Sequence, residues 1–258
     1  MRKGLIILTS TVTCICGGFA QPHTGPTFEV ASVKLNTSGD FRSSTNSSTG
    51  ELFIRNSTLK SIIQSAYDVR EYSFSGPDWL ATVRFDVSAK LPPSDSAQTS
   101  REERQFRRRQ MLQNFLADRF KLETHRETRT LPGYALVVGR KAPKLAVSER
   151  KDGTSISTNN GSLNGSGMTM ASLANMVAIE LRSPVADMTG VEGRYDIKLE
   201  WSKDDPRGTG ESGDGKSVDT RPSIFTALQE TLGLKLEGRK IPVEILVVDH
   251  VERTPTEN

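Results

Sequence analysis

Three histidines occur in the chain, His23, His125 and His250, and Asp249 directly precedes the last of them. An aspartate that orients a histidine is the pairing a general base uses. On a strand, however, neighbouring side chains point to opposite faces, so Asp249 and His250 would not meet. A zinc site needs three or four converging ligands, usually His or Cys. Both cysteines, Cys14 and Cys16, fall in the first twenty residues. No catalytic, cofactor-binding or metal-ligating residue is therefore assigned, and no cofactor is expected.

Other motifs fail on their spacing. Asp187-Met188-Thr189-Gly190 echoes the Asp-Thr-Gly turn of aspartic proteases with one residue inserted, and no second copy supplies the carboxylate that would share the proton. A loop aspartate satisfying turn amides is the plainer reading. Gly165-Ser166-Gly167 is followed by Met168, which is not a nucleophile elbow, and the glycines of 161–167 lead to no Gly-Lys-Ser/Thr phosphate cradle. The run REERQFRRRQ (101–110) interleaves glutamates and offers no aromatic stacking platform, so it reads as the solvated start of a helix, with no nucleic-acid partner. Trp79, Trp201, Tyr67 and Tyr72 read as packing residues. Scattered carboxylates such as Asp86, Asp196 and Asp249 leave a hydrolase as an alternative, since proximity in space is invisible in sequence.

The first twenty residues read as a signal peptide. Arg2 and Lys3 precede an apolar run from Leu5 to Cys16, too short to span a bilayer, and Gly18-Phe19-Ala20 ends in small residues suited to cleavage. Cleavage after Ala20 would remove both cysteines, so an exported product could form no disulfide. It would also remove Arg2 and Lys3, leaving 31 acidic residues nearly balanced by basic ones, which again argues against nucleic acid. No later segment reaches membrane-spanning length, so no membrane insertion is expected after cleavage.

One phrase occurs twice in the chain: Arg84-Phe85-Asp86-Val87 and Arg194-Tyr195-Asp196-Ile197. Each lies on an alternating strand, where the Asp reads as the outward residue. Upstream, each copy has a polar hairpin, with Ser-Thr-Asn at 44–46 and at 157–159. Next comes an apolar-striped helix: Leu59, Ile62, Ile63 and Ala66 in one, Met170, Leu173, Ala174 and Val177 in the other. Ser57 or Thr58 would cap the first and Thr169 the second. Downstream, each copy has a linker (91–100 and about 202–221, the latter reading as mobile), a second helix, and two closing strands. The closing strands are Phe120 to His125 with Tyr134 to Val138, and Leu234 to Leu236 with Val243 to His250. Leu131-Pro132-Gly133 and Gly238 with Pro242 punctuate the turns between them. FEVASVKL (28–35) stands in front as an extra strand. The expectation is α+β, two related ββαβαββ-like halves at 21–148 and 149–258, mostly antiparallel sheet with helices packed on one face, arising by duplication.

The blocks FEVASVK, GPDWL, RFDVSAK, ADRFKLETHRETRTLPGYALVV, PVADMTGVEGRYDIKLEW and SIFTALQETLGLKLEGRKIPVEILVVDHVERTPTEN resemble a soil-associated, exported bacterial family of unknown function, abundant in acidobacteria such as Solibacter. The resemblance runs from Phe28 to Asn258. It implies no activity and no catalytic residues. Some relatives are joined to a membrane metallopeptidase of the antibiotic-sensor type, which implies sensing or protein interaction outside the cytoplasm. Residues and resemblance together lead to an expectation of a non-enzymatic binding module of the envelope or extracellular space, with a protein or peptide partner. An extracytoplasmic ligand sensor and a carboxylate hydrolase are the alternatives.

Overall fold

The computed structural model describes residues 25–40, 42–48, 50–92, 100–203 and 220–256. The signal peptide, Cys14, Cys16, His23 and most of the two linkers lie outside the described residues.

The same order of elements is written twice. The first unit runs β1 (Val30–Leu35), β2 (Ser44–Ser48), β3 (Glu51–Thr58), α1 (Leu59–Tyr67), β4 (Phe74–Ser75), β5 (Arg84–Lys90), α2 (Arg101–Phe120) and β6 (Glu123–Val138). The second runs β7 (Ala146–Val147), β8 (Ser155–Asn159), β9 (Ser162–Met168), α3 (Met170–Leu181), β10 (Val185–Asp187), β11 (Tyr195–Glu200), α4 (Ile224–Ala227) and β12 (Leu234–His250). Each unit owns an antiparallel four-stranded sheet, β1-β5-β3-β2 in one and β7-β11-β9-β8 in the other. The leading strand is thus not an extra. Its counterpart is β7, which at two residues shows no readable alternation.

Local chemistry starts the helices at matching places. The Thr58 hydroxyl accepts from the Ser61 amide at 3.1 Å, and the Thr169 hydroxyl accepts from the Ser172 amide at 3.1 Å. Behind each cap, the apolar stripe seen in sequence is buried against its sheet. Ser100 and Glu103 form a capping box for α2, and Ser223 caps α4. Lys121 and Gly233 close the second helices in the left-handed conformation, at φ 51° and 70°. The copies diverge in length: α2 has twenty residues, whereas α4 has four and passes into a π-helical turn, Leu228–Leu232. The charged run 101–110 therefore has no counterpart. In the first unit it ties the helix down, Arg109 pairing with Asp68 at 2.8 Å and Arg108 donating to the Ser47 hydroxyl.

A third sheet, β10-β6-β12-β4, joins the units. Its spine is an antiparallel ladder between β6 and β12 that runs from Leu234↔Val138 to His250↔Glu123. The expected pairs of closing strands are each one continuous strand, and the turns placed at Pro132-Gly133 and at Gly238 with Pro242 do not exist. Alternation along a strand explains why proline is tolerated there. The Tyr134 amide donates outward to the Pro184 carbonyl at 2.8 Å, so Pro132, two residues earlier, also directs its nitrogen away from β12. Pro242 pairs with Thr130 in the same register and faces its own open edge. Gly133 is required by close approach, since a Cβ there would lie 2.5 Å from the Pro184 carbonyl oxygen.

The flanking strands of the spine are exchanged. β4 of the first unit runs parallel to β12, and β10 of the second runs parallel to β6. The cores follow suit. Leu246 and Val248 complete the first, with Ile62, Ile63, Phe85 and Phe120. Leu136 completes the second, with Leu173, Ile197, Trp201 and Leu228. Neither core closes without a strand from the other unit.

Pro132 and Pro242 withhold donors from the two open edges of the spine, a recognised device against edge-to-edge pairing. A Pro132→Ala/Pro242→Ala variant should fold, keep its far-ultraviolet circular dichroism, and self-associate more readily than wild type when followed by light scattering against concentration.

Candidate functional site

The repeated Arg-aromatic-Asp phrase has one physical job in both units. β3 and β9 each place a residue in the left-handed region two positions before the helix cap, Asn56 at φ 50° and Gly167 at φ 69°. A break in the ladder register accompanies each. The neighbouring strand grips that residue from both sides. The Asn56 amide donates to Asp86 Oδ1 at 2.7 Å, and Arg84 Nη1 donates to the Asn56 carbonyl at 2.7 Å. In the second unit the Gly167 amide donates to Asp196 Oδ1 at 3.1 Å, and Arg194 Nη1 donates to the Gly167 carbonyl at 2.9 Å. The positions differ in side chain for a local reason. Asn56 uses its amide to hold the Asp40 and Arg42 carbonyls, whereas a Cβ at Gly167 would lie 2.8 Å from the Gly153 carbonyl.

Asp196 lines a cleft of about 720 Å³ on the outer face of the second unit's own sheet. Lys144, Lys198, Asn164, Ser157 and Ser166 share its lining. The Ser148 hydroxyl, then the Ser166 hydroxyl and the Gly167 amide, with Arg150 nearby, hold the Asp196 carboxyl below its ordinary value of 3.8. Its oxygens are thereby committed to protein donors. What remains for a ligand is two ammonium groups, an amide and several hydroxyls.

Asp86, Asp196 and Asp249 lie in three different sheets and do not form a carboxylate pair. Asp249 meets a histidine, but not its sequence neighbour. A bulge between Val248 and His250 turns it towards His125, whose Nδ1 lies 2.7 Å from Asp249 Oδ1. Among the described residues no hydroxyl or thiol bonds to the other ring nitrogen of His125, so the pair has an orienting acid without a nucleophile. Asp187 accepts from the Thr189 amide at 3.0 Å and from its hydroxyl at 2.8 Å, which is the turn role read in sequence. Trp201 is buried in the second core, and Trp79 is half-buried beneath Arg253.

The chain belongs to DUF3738, a family described as a protein of unknown function, whose model matches residues 60–251. No curated protein and no solved structure gives a match. The matched span opens inside α1 and closes just past β12, so β1, β2 and β3 precede it although they supply three of the four strands of the first sheet. Both clamp aspartates and the whole cleft fall within the match.

The cleft was not legible in sequence. Alternation on β11 marks Asp196 and Lys198 as a wet face, which is a usable signal, but nothing places Lys144 beside them. Ser-Thr-Asn misleads as well. Ser44 stands opposite Arg55 and Ser155 opposite Ser166, so 44–46 matches 155–157 rather than 157–159.

Two outcomes test the clamp. Asp86→Ala leaves the half-buried Asn56 amide without its acceptor and should lower the unfolding free energy in urea by about 1–3 kcal/mol. For Asp196, a folded-state pKa below the ordinary 3.8 means stabilisation that is complete above that value and lost as pH falls through the depressed one. Wild type should therefore exceed Asp196→Asn in stability at neutral pH, with the gap closing only below pH 3.8 in pH-stepped denaturation.

Proposed function

We propose that this protein is an exported, non-enzymatic binding module that takes an extended peptide of a partner protein along the free edge of β1. The observation that carries this reading is the character of that edge. β1 is six residues long, stands at the end of its sheet, contains no proline, and leaves Val30 and Leu35 65% and 58% exposed. Ala31 and Val33 pack on the first core, and Leu35 continues their row past it. A docked strand with apolar residues at alternate positions would cover Leu35 and extend that core. The other edges are less suited to this. β7 has two residues, β2 and β8 are short and rich in Ser, Thr and Asn, and the spine's open edges carry Pro132 and Pro242.

Binding is favoured over catalysis because the cleft's carboxylate accepts from fold-maintaining donors and, among the described residues, no hydroxyl or thiol bonds to the His125 ring. Export is supported by the Arg2-Lys3 start, the short apolar run and the Gly18-Phe19-Ala20 ending. No helix among the described residues is long and apolar enough to cross a membrane. A second reading, extracytoplasmic ligand sensing, is favoured by the cleft beside Lys198.

The Asn36 amide bonds to the Arg84 carbonyl, so by alternation Ala31, Val33 and Leu35 turn their amides outward. Ala31→Pro removes one outward donor and leaves the ladder to β5 intact. Peptides selected by display for binding wild type should alternate apolar and polar residues. Their affinity for Ala31→Pro, read by fluorescence anisotropy, should fall at least about tenfold with the melting temperature held. Unchanged affinity, or a library that yields no binder, would overturn the reading.

A further inference from the structure

The cleft carries a second inference, independent of the β1 edge. We infer that it is a binding site for a saccharide bearing one anionic group. The argument rests on a transverse row of side chains across the outer face of the second sheet. Lys198 stands opposite Asn164, and Asn164 opposite Ser157. On the other side Ala146 stands opposite Asp196. Past Ala146 the ladder ends: the Lys144 amide donates to the Leu232 carbonyl at 2.9 Å, and Lys144 reaches the cleft from the chain just before β7. Lys198, Asn164 and Ser157 thus cross three strands at a spacing of about 5 Å, and Lys144 lines the cleft with them.

Two ammonium groups that line one cleft repel each other. Among the described residues no carboxylate lies within ion-pairing distance of either lysine. Among the described residues the Lys144 ammonium donates to the Glu230 carbonyl alone, at 3.3 Å. Asp196, two positions from Lys198, spends its oxygens on Ser148, Ser166 and Gly167, and the cation that stabilises it is Arg150. One end of the row therefore lacks an anion, while the other offers an amide and hydroxyls that match neutral sugar hydroxyls.

The duplication provides an internal comparison. The equivalent row in the first unit is Ser88, then Phe53, then Asn46. It has no ammonium pair, and an aromatic ring stands where Asn164 does. The clamp aspartate is common to both units, so the shared fold requires it. The lysines and Asn164 belong to one unit alone, so the shared fold does not.

The test is calorimetric titration of the full chain with glucuronate and its oligomers, glucose 6-phosphate, neutral glucose oligomers and inorganic phosphate. Saturable binding of a charged sugar is expected, and either the carboxylated or the phosphorylated arm identifies its source. Lys144→Ser/Lys198→Ser, which removes both ammonium groups, should weaken it at least about tenfold while the ligand-free variant melts no lower than wild type. The exposed Lys198→Glu should weaken binding further, and it serves alone if the double variant does not fold. Inorganic phosphate binding as tightly as the charged sugars, neutral oligomers binding as tightly, lysine-independent binding, or no binding in any arm would each overturn the inference. None of these outcomes bears on peptide capture at β1, which Ala31→Pro tests separately.

Discussion

A helix that must start within two residues of a strand's end needs its chain turned abruptly, and here a left-handed residue does the turning. Asn56 and Gly167 occupy that position, and each exposes an amide and a carbonyl that the sheet ladder no longer pairs. Arg84 with Asp86, and Arg194 with Asp196, replace both lost bonds from the adjacent strand. Charge-assisted bonds from a fixed neighbour make an otherwise costly conformation the one the chain adopts. With that corner set, Thr58 and Thr169 fall where they cap α1 and α3, and the apolar stripes of both helices face their sheets.

The exchange of short strands across the spine has an energetic reading. A two-helix, four-stranded unit of this size buries a limited core, and each core here is completed by apolar residues of the partner's long strand. Antiparallel pairing along nearly the whole of β6 and β12 makes those contributions simultaneous. Because β4 and β10 pair only with the other unit's strand, separating the units would expose edges as well as apolar surface. Two related sequences thereby behave as one folding unit.

Much of this was readable from residue order, and the failures have definite causes. Alternation and helical stripes located β5, β11, α1 and α3, and the caps at Thr58 and Thr169 marked where the helices begin. Pro132, Gly133, Gly238 and Pro242 were misread because turn chemistry and edge protection use the same residues. What separates them is the direction of a backbone amide, which depends on a pairing partner more than a hundred positions away. β4, β7 and β10 are two or three residues long, below any periodicity. The contact between His125 and Asp249 arises from one bulge in a long ladder, and no local pattern announces a bulge.

Duplication also sorts the residues by purpose. Features kept in both copies serve the shared backbone: the arginine and aspartate of the clamp hold its corner, the threonines cap its helices, and the prolines guard its edges. Where the copies diverge, the backbone imposes no such demand. The long α2 and the apolar β1 edge are private to the first unit, while the shortened α4 and the cleft with its two lysines are private to the second. One repeated frame carries two unlike surfaces because the residues that set its corner are engaged in hydrogen bonds rather than spent on ligands. The conspicuous repeated aspartate is therefore the least informative residue about function, and the unrepeated residues around it are the most informative.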